Sequence, residues 1–113
     1  MDCLFCKIIN KELNTNIIYE DQDVLGFNDI NPQAPIHTLF IPKKHISTIN
    51  DITETENQIA GKLVIAAQKY ASEISVADNG FRLVMNCNSD GGQTVYHIHL
   101  HFLAGRQLHW PPG

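Results

Sequence analysis

The strongest constraint on this chain is an alternation near its C-terminus, His97-Ile98-His99-Leu100-His101-Phe102-Leu103. In an extended strand successive side chains point to opposite faces, so the three imidazoles share one face and Ile98, Leu100 and Phe102 the other. The apolar face sets the register, because a slip of one residue would exchange the two sets. Three aligned imidazoles offer a nucleophile, an acid/base and an orienting group near neutral pH. A solvated strand face with chance histidines is the plain alternative, and the segment just before argues against it. Ser89-Asp90-Gly91-Gly92-Gln93-Thr94 pairs two glycines, which let backbone approach an anion closely, and Thr94 adds a hydroxyl. Consecutive amides in such a loop can form a concave phosphate site.

Around this strand the pattern predicts a short helix over 4–12, with Leu4 and Ile8 inward and Phe5 and Ile9 beside them, then a hairpin of strands 17–20 and 24–28 about Asp21-Gln22-Asp23. Pro32 and Pro35 mark a loop, 37–41 reads as a strand closed by Pro42, and Thr53 with Glu56 resembles a helix start. Apolar residues at Ile59, Leu63, Ala66, Ala67, Tyr70 and Ile74 have helical spacing and predict a long helix over 58–74. Segments 81–86 and 95–103 complete the strands. The expected class is α+β, an antiparallel sheet backed by one long helix and one short one.

The chain has 113 residues and no linker-like or repeated segment, so one domain over 1–113 is expected. Its formal charge is −4 with no basic stripe, which argues against a polynucleotide partner but leaves a mononucleotide open. No signal-peptide pattern or membrane-length apolar run is present, so a cytoplasmic location without membrane association is expected. In that compartment Cys3-x-x-Cys6 reads as a metal or redox element, and Cys87 as a small buried residue. A core this modest would gain from dimerisation.

The His97-x-His99-x-His101 motif resembles the signature of the histidine-triad (HIT) superfamily. Three further segments resemble its branch of histidine-triad nucleotide-binding (HINT) proteins: Asp29-Ile30-Asn31-Pro32-Gln33-Ala34-Pro35, Ile41-Pro42-Lys43-Lys44-His45-Ile46 and the Ser89 to Tyr96 loop. So does the ending Gly105-Arg106-Gln107-Leu108-His109-Trp110-Pro111-Pro112-Gly113, and the likeness covers almost the whole chain.

The resemblance implies hydrolysis of purine nucleoside phosphoramidates, such as AMP or GMP conjugates, through a nucleotidyl-histidine on His99, with no cofactor required. It implies that His97 supplies a backbone carbonyl that orients His99, that His101 contacts phosphate and leaving group, and that Thr94 contacts the leaving atom. Most members of the branch carry Ser where this chain has Thr94. Amides near Gly92 and Gln93 would stabilise phosphoryl charge, and Asn86 would lie near phosphate or ribose. Asp29 would bind the ribose hydroxyls, beside Asn28 where His is common, and Phe5, Ile8, Leu13, Phe27 and Ile30 would enclose the base. Cys3, Cys6, His45 and His97 match the set that holds a structural zinc in some bacterial members. The resemblance also implies a homodimer with the two sheets joined edge to edge, and a tail whose Trp110 reaches the other subunit's site. Against the phosphoramidase stand a dinucleoside polyphosphate hydrolase, a nucleotide-binding adaptor with little turnover and, more distantly, a metal-binding scaffold.

Overall fold

The computed structural model describes residues 2–113. A hairpin of β1 (Ile17–Glu20) and β2 (Val24–Asn28) leads into β3 (Ile36–Pro42). Helix α2 (Gln58–Glu73) precedes β4 (Phe81–Val84), and the one-turn helix α3 (Asn88–Gly91) precedes β5 (Leu100–Ala104). The strands form one antiparallel sheet in the order β1-β2-β3-β5-β4. This is the expected α+β class, with α1 (Leu4–Ile9) at its start.

The two faces of the sheet carry separate cores. Val24, Phe40, Ile98, Leu100 and Phe102 pack against Leu63, Ala66, Ala67 and Ala71 of α2. On the other face Leu25, Phe27, Leu39 and Ile41 pack against Cys3, Phe5 and Ile8 of α1. Ile98, Leu100 and Phe102 therefore face α2 as the alternation requires. The histidine face is covered as well: His97 is fully buried and His99 nearly so. Helix α1 covers them, its Phe5 standing edge-on to His97 and His99 at ring-centroid distances of 5.9 and 5.2 Å.

Several boundaries differ from expectation for local reasons. The strand expected over 95–103 begins only at Leu100, because β3 cannot pair further back. Pro42 has no N–H to offer, and its carbonyl accepts from His97 Nε2 at 2.8 Å. Helix α1 stops at Ile9, with Lys11 at positive φ, and turns Phe5 and Ile8 inward while Leu4 stays half exposed. Thr53 does not cap α2; its hydroxyl meets the Glu56 carboxylate at 2.9 Å beside a single 3₁₀ turn, Glu54–Glu56. A complete capping box forms instead at Thr48 and Asp51, around Ile49–Asp51. Strand β4 ends at Val84, short of the expected 86. Cys87 is half-buried at the start of α3. Among the described residues, no helix is long and apolar enough to cross a membrane.

Candidate active site

Two structural accidents of sequence bring His99 to the floor of a cavity. The chain before β5 is irregular, and α1 roofs the same face. The His99 Nδ1 lies 2.8 Å from the His97 carbonyl, an acceptor only, so Nδ1 carries a proton and, in the neutral ring, Nε2 holds the lone pair. His101 follows on the same face, with ring centroids 5.0 Å apart. Burial, helped by repulsion from His99 and His37, holds the His101 imidazole at a pKa of about 4, so it is neutral at pH 7.

The cavity, ≈ 360 Å³, is lined by His99, His101 and Thr94 together with Phe5, Ile8 and Phe27. Leu13, Ile30, Asp29, Asn86 and Gly92 also line it, and Leu4, Thr15, Leu39 and Val95, unforeseen from sequence, complete it. Phe5, Ile8 and Phe27 belong at once to the core on this face and to the lining of the cavity. Ile30 is wholly exposed, which suits a residue that only a ligand would cover. Asn28 also borders the cavity, but its Oδ1 accepts from the buried Thr38 hydroxyl at 3.1 Å, and strand alternation sets it on the α2 face with Val24. A larger concavity, ≈ 560 Å³, lies between Val76 and Leu108 and contains no histidine or cysteine.

The glycine loop is built differently from expectation. The Gly92 and Gln93 amides donate inward, to Ser89 O and Asn88 O at 3.0 Å, and so cap α3 rather than face the cavity. Gly92 closes that turn at φ 84°, a conformation that favours glycine. The Gln93 side chain is buried and staples the loop: Oε1 accepts from Asn88 N at 2.9 Å, while Nε2 donates to Ser47 O at 2.8 Å and Val95 O at 3.1 Å. The Thr94 amide donates to no carbonyl among the described residues, and its hydroxyl side chain is exposed in the cavity.

His37 is the residue that sequence reading passed over. It sits diagonally across the β3–β5 ladder from His101, with Nε2 2.9 Å from His101 Nδ1 and 3.5 Å from Asp29 Oδ2. Only strand pairing reveals this, because the two histidines are 64 residues apart.

On the far side of His97, Cys3, Cys6, His45 and His97 bring all four ligand atoms within 4.8 Å of one another. His45 Nδ1 and His97 Nδ1 are 3.2 Å apart, Cys6 Sγ lies 3.4 Å from His45 Nδ1 and 3.6 Å from His97 Nδ1, and Cys3 Sγ lies 3.5 Å from His97 Nδ1. A tetrahedral zinc with bonds of about 2.3 Å to sulfur and about 2.0 Å to nitrogen needs roughly 3.5 Å between S and N and roughly 3.3 Å between nitrogens. Because His97 Nε2–H donates to Pro42 O, its Nδ1 lone pair points into the cluster. Burial, with Cys3 alongside, pushes the Cys6 thiol up to about 11, a bias that a divalent cation would reverse. The donor set fits zinc. Trp110 is largely exposed and stands outside the cavity of its own chain.

The HIT domain family matches residues 10–108. The purine nucleoside phosphoramidase of Escherichia coli is 46% identical over 107 residues, covering 95% of this chain and 90% of that protein. A crystal structure of a HIT family hydrolase from Legionella pneumophila superposes with TM-score 0.96 at 52% identity, covering 99% of this chain and all of that one. The histidine triad nucleotide-binding protein of Candida albicans superposes at TM-score 0.83 and 26% identity, covering 97% and 83%. The chain belongs to the HIT family, in its HINT-like branch.

Proposed function

We propose that the chain hydrolyses purine nucleoside phosphoramidates through a nucleotidyl-histidine on His99. The observation that carries this is the His99 imidazole itself, whose Nδ1 donates to the His97 carbonyl, so that in the neutral ring Nε2 holds the lone pair in a cavity of nucleotide size. Relatives named as a purine nucleoside phosphoramidase and as HIT family hydrolases support the same reading.

In this reading Nε2 of His99 attacks the α-phosphorus and the P–N bond breaks. The leaving nitrogen takes its proton from solvent, since neutral His101 is a hydrogen-bond donor rather than an imidazolium acid. The His101 ring and the Thr94 hydroxyl hold that nitrogen, and the Thr94 amide, in place of the capped Gly92 and Gln93 amides, meets the phosphoryl oxygens. Water then attacks the adduct, giving the nucleoside monophosphate and free His99. Asp29 takes the ribose hydroxyls and the Phe5, Ile8, Phe27, Leu13 and Ile30 wall takes the base. Cys3, Cys6, His45 and His97 would hold a structural zinc that ties α1 to the irregular segment before β5, two residues from the nucleophile; no step of the reaction uses it.

The reading extends to assembly. Strand β4 is an unpaired sheet edge, and Val64 and Ile65 on α2 are about half exposed, so a second copy would cover both. Trp110 would then reach the partner's cavity.

Intact-mass analysis after mixing with an adenosine phosphoramidate should show a nucleotidyl adduct that maps to His99. His99→Asn should lose turnover yet bind nucleotide, and activity within about tenfold of the original, roughly 1.4 kcal/mol of barrier, would reject the nucleophile. Diadenosine polyphosphates tested in parallel should turn over more slowly.

A further inference from the structure

Three consecutive residues, His45, Ile46 and Ser47, each hold a different part of the site, and they lie in a stretch that belongs to no helix or strand. His45 Nδ1 faces the cysteine–histidine cluster, 3.4 Å from Cys6 Sγ and 3.2 Å from His97 Nδ1. The Ile46 carbonyl accepts from the Ile98 amide at 2.8 Å, between His97 and His99 in the chain. The Ser47 carbonyl accepts from Gln93 Nε2 at 2.8 Å and so carries one end of the staple that shapes the glycine loop. Without a ladder to fix it, the stretch is held by these contacts, by the buried Ile46 side chain and by the capping box at Thr48.

One further bond crosses the stretch. His45 Nε2 lies 3.2 Å from Ser47 Oγ. A metal held at His45 Nδ1 takes that nitrogen's lone pair, so the ring proton is on Nε2 and donates to the Ser47 hydroxyl. A cation on the ring also makes that N–H a stronger donor. Ser47 thereby joins two networks: its hydroxyl is tied to the cluster and its carbonyl to Gln93. The Gln93 side chain in turn accepts from Asn88 N at 2.9 Å and donates to Val95 O at 3.1 Å, on either side of Thr94 in the chain.

We infer that Ser47 is a positioning residue that transmits occupancy of the Cys3, Cys6, His45 and His97 cluster to Thr94. The inference rests on the readings above, in which that cluster holds zinc and Thr94 meets the phosphoryl group and the leaving atom. Fixing the His45 ring fixes the Ser47 side chain and, through the few soft dihedrals between them, the direction of the Ser47 carbonyl. The Gln93 carboxamide follows its acceptor, and Asn88 and Val95 follow Gln93. Misplacing a group by about 1 Å can cost a hundredfold in rate, so a fraction of that at Thr94 is felt in kcat. Helix α1, with Phe5 and Ile8 in the cavity lining, is a second route from cluster to cavity, but it bypasses Gln93. Ser47 does not line the cavity and acts only through Gln93.

The test is a double-mutant cycle read on zinc affinity, which needs no turnover. Zinc binding to the full chain is measured by competition with a chelating dye in the parent, Ser47→Ala, Gln93→Ala and the double variant. Ser47→Ala keeps the carbonyl and removes only the hydroxyl. It should bind zinc about tenfold more weakly, the usual cost of losing an outer partner of a metal-bound histidine, while Ser47→Thr stays near the parent. Coupling is reciprocal, so Gln93→Ala should weaken zinc binding about threefold in the parent and leave it within error in Ser47→Ala. Additive losses, which a general loss of stability would give, overturn the relay, as does unchanged zinc affinity in either single variant. With an adenosine phosphoramidate, zinc-loaded Ser47→Ala should lose about fivefold in kcat with KM within about twofold, and Ser47→Thr should recover most of the loss. A raised KM at unchanged kcat would overturn the link to Thr94. A parent that takes up no zinc overturns the relay together with the zinc reading. A parent that binds zinc but turns over no nucleoside phosphoramidate rejects the phosphoramidase reading, while the affinity cycle still decides the relay.

Discussion

Gln93 separates two accounts of the glycine loop. Were its side chain a ligand contact, Gln93→Ala would weaken substrate binding and leave stability nearly unchanged. The structure instead buries it with three hydrogen bonds, to Asn88 N, Ser47 O and Val95 O. At about 1 kcal/mol net for each bond, truncation costs roughly 3 kcal/mol, less if water reaches the freed Asn88 amide. For a domain of this size 1 kcal/mol moves Tm by about 4–8 °C, so Tm should fall by about 10 °C or more. Loosening the loop also misplaces Thr94, so kcat should fall more than KM rises. Thermal melts at a fixed protein concentration, paired with steady-state kinetics, measure both. A Tm drop under about 4 °C with a raised KM would refute the staple and return Gln93 to the ligand.

Other expectations follow from the same geometry. Burial lowers the His101 pKa from 6.5 to about 4, so below pH 6.5 the unfolded chain binds more protons than the native one; stability should decline from pH 6.5 to about 4, by roughly 3 kcal/mol from this residue, as urea melts across that range would show, and flat stability would contradict it. Protein purified without chelator should hold one zinc per chain by elemental analysis, and Cys6→Ser should release it and lower Tm; a metal-free preparation of full stability would count against the site. Removing residues 108–113 should alter relative rates among phosphoramidates with different leaving groups while preserving a dimeric mass by light scattering; a monomeric parent at micromolar concentration would sink the dimer, and unchanged preference the role of Trp110.

The triad is legible in the sequence because a strand has period 2: Ile98, Leu100 and Phe102 could only face the core, which puts His97, His99 and His101 together. The long helix is legible for a similar reason, since its apolar spacing needs no partner to be read. Those local periodicities, with the Cys3-x-x-Cys6 spacing, are determined by the sequence alone. What lies beyond them is set by contacts across long separations. Strand β5 is short because its partner there is Pro42, and the Gly92 and Gln93 amides turn inward because the chain closes a helical turn that the paired glycines do not announce. His37 becomes a neighbour of His101 only through antiparallel pairing of β3 with β5, and Asp29 stands beside them where its own N–H donates to the His37 carbonyl across the β2–β3 connection. Hydrogen-bond direction, and with it the tautomer of each imidazole, is decided by which donor or acceptor the tertiary fold places at the other end of the ring, and no pattern along one strand carries that information.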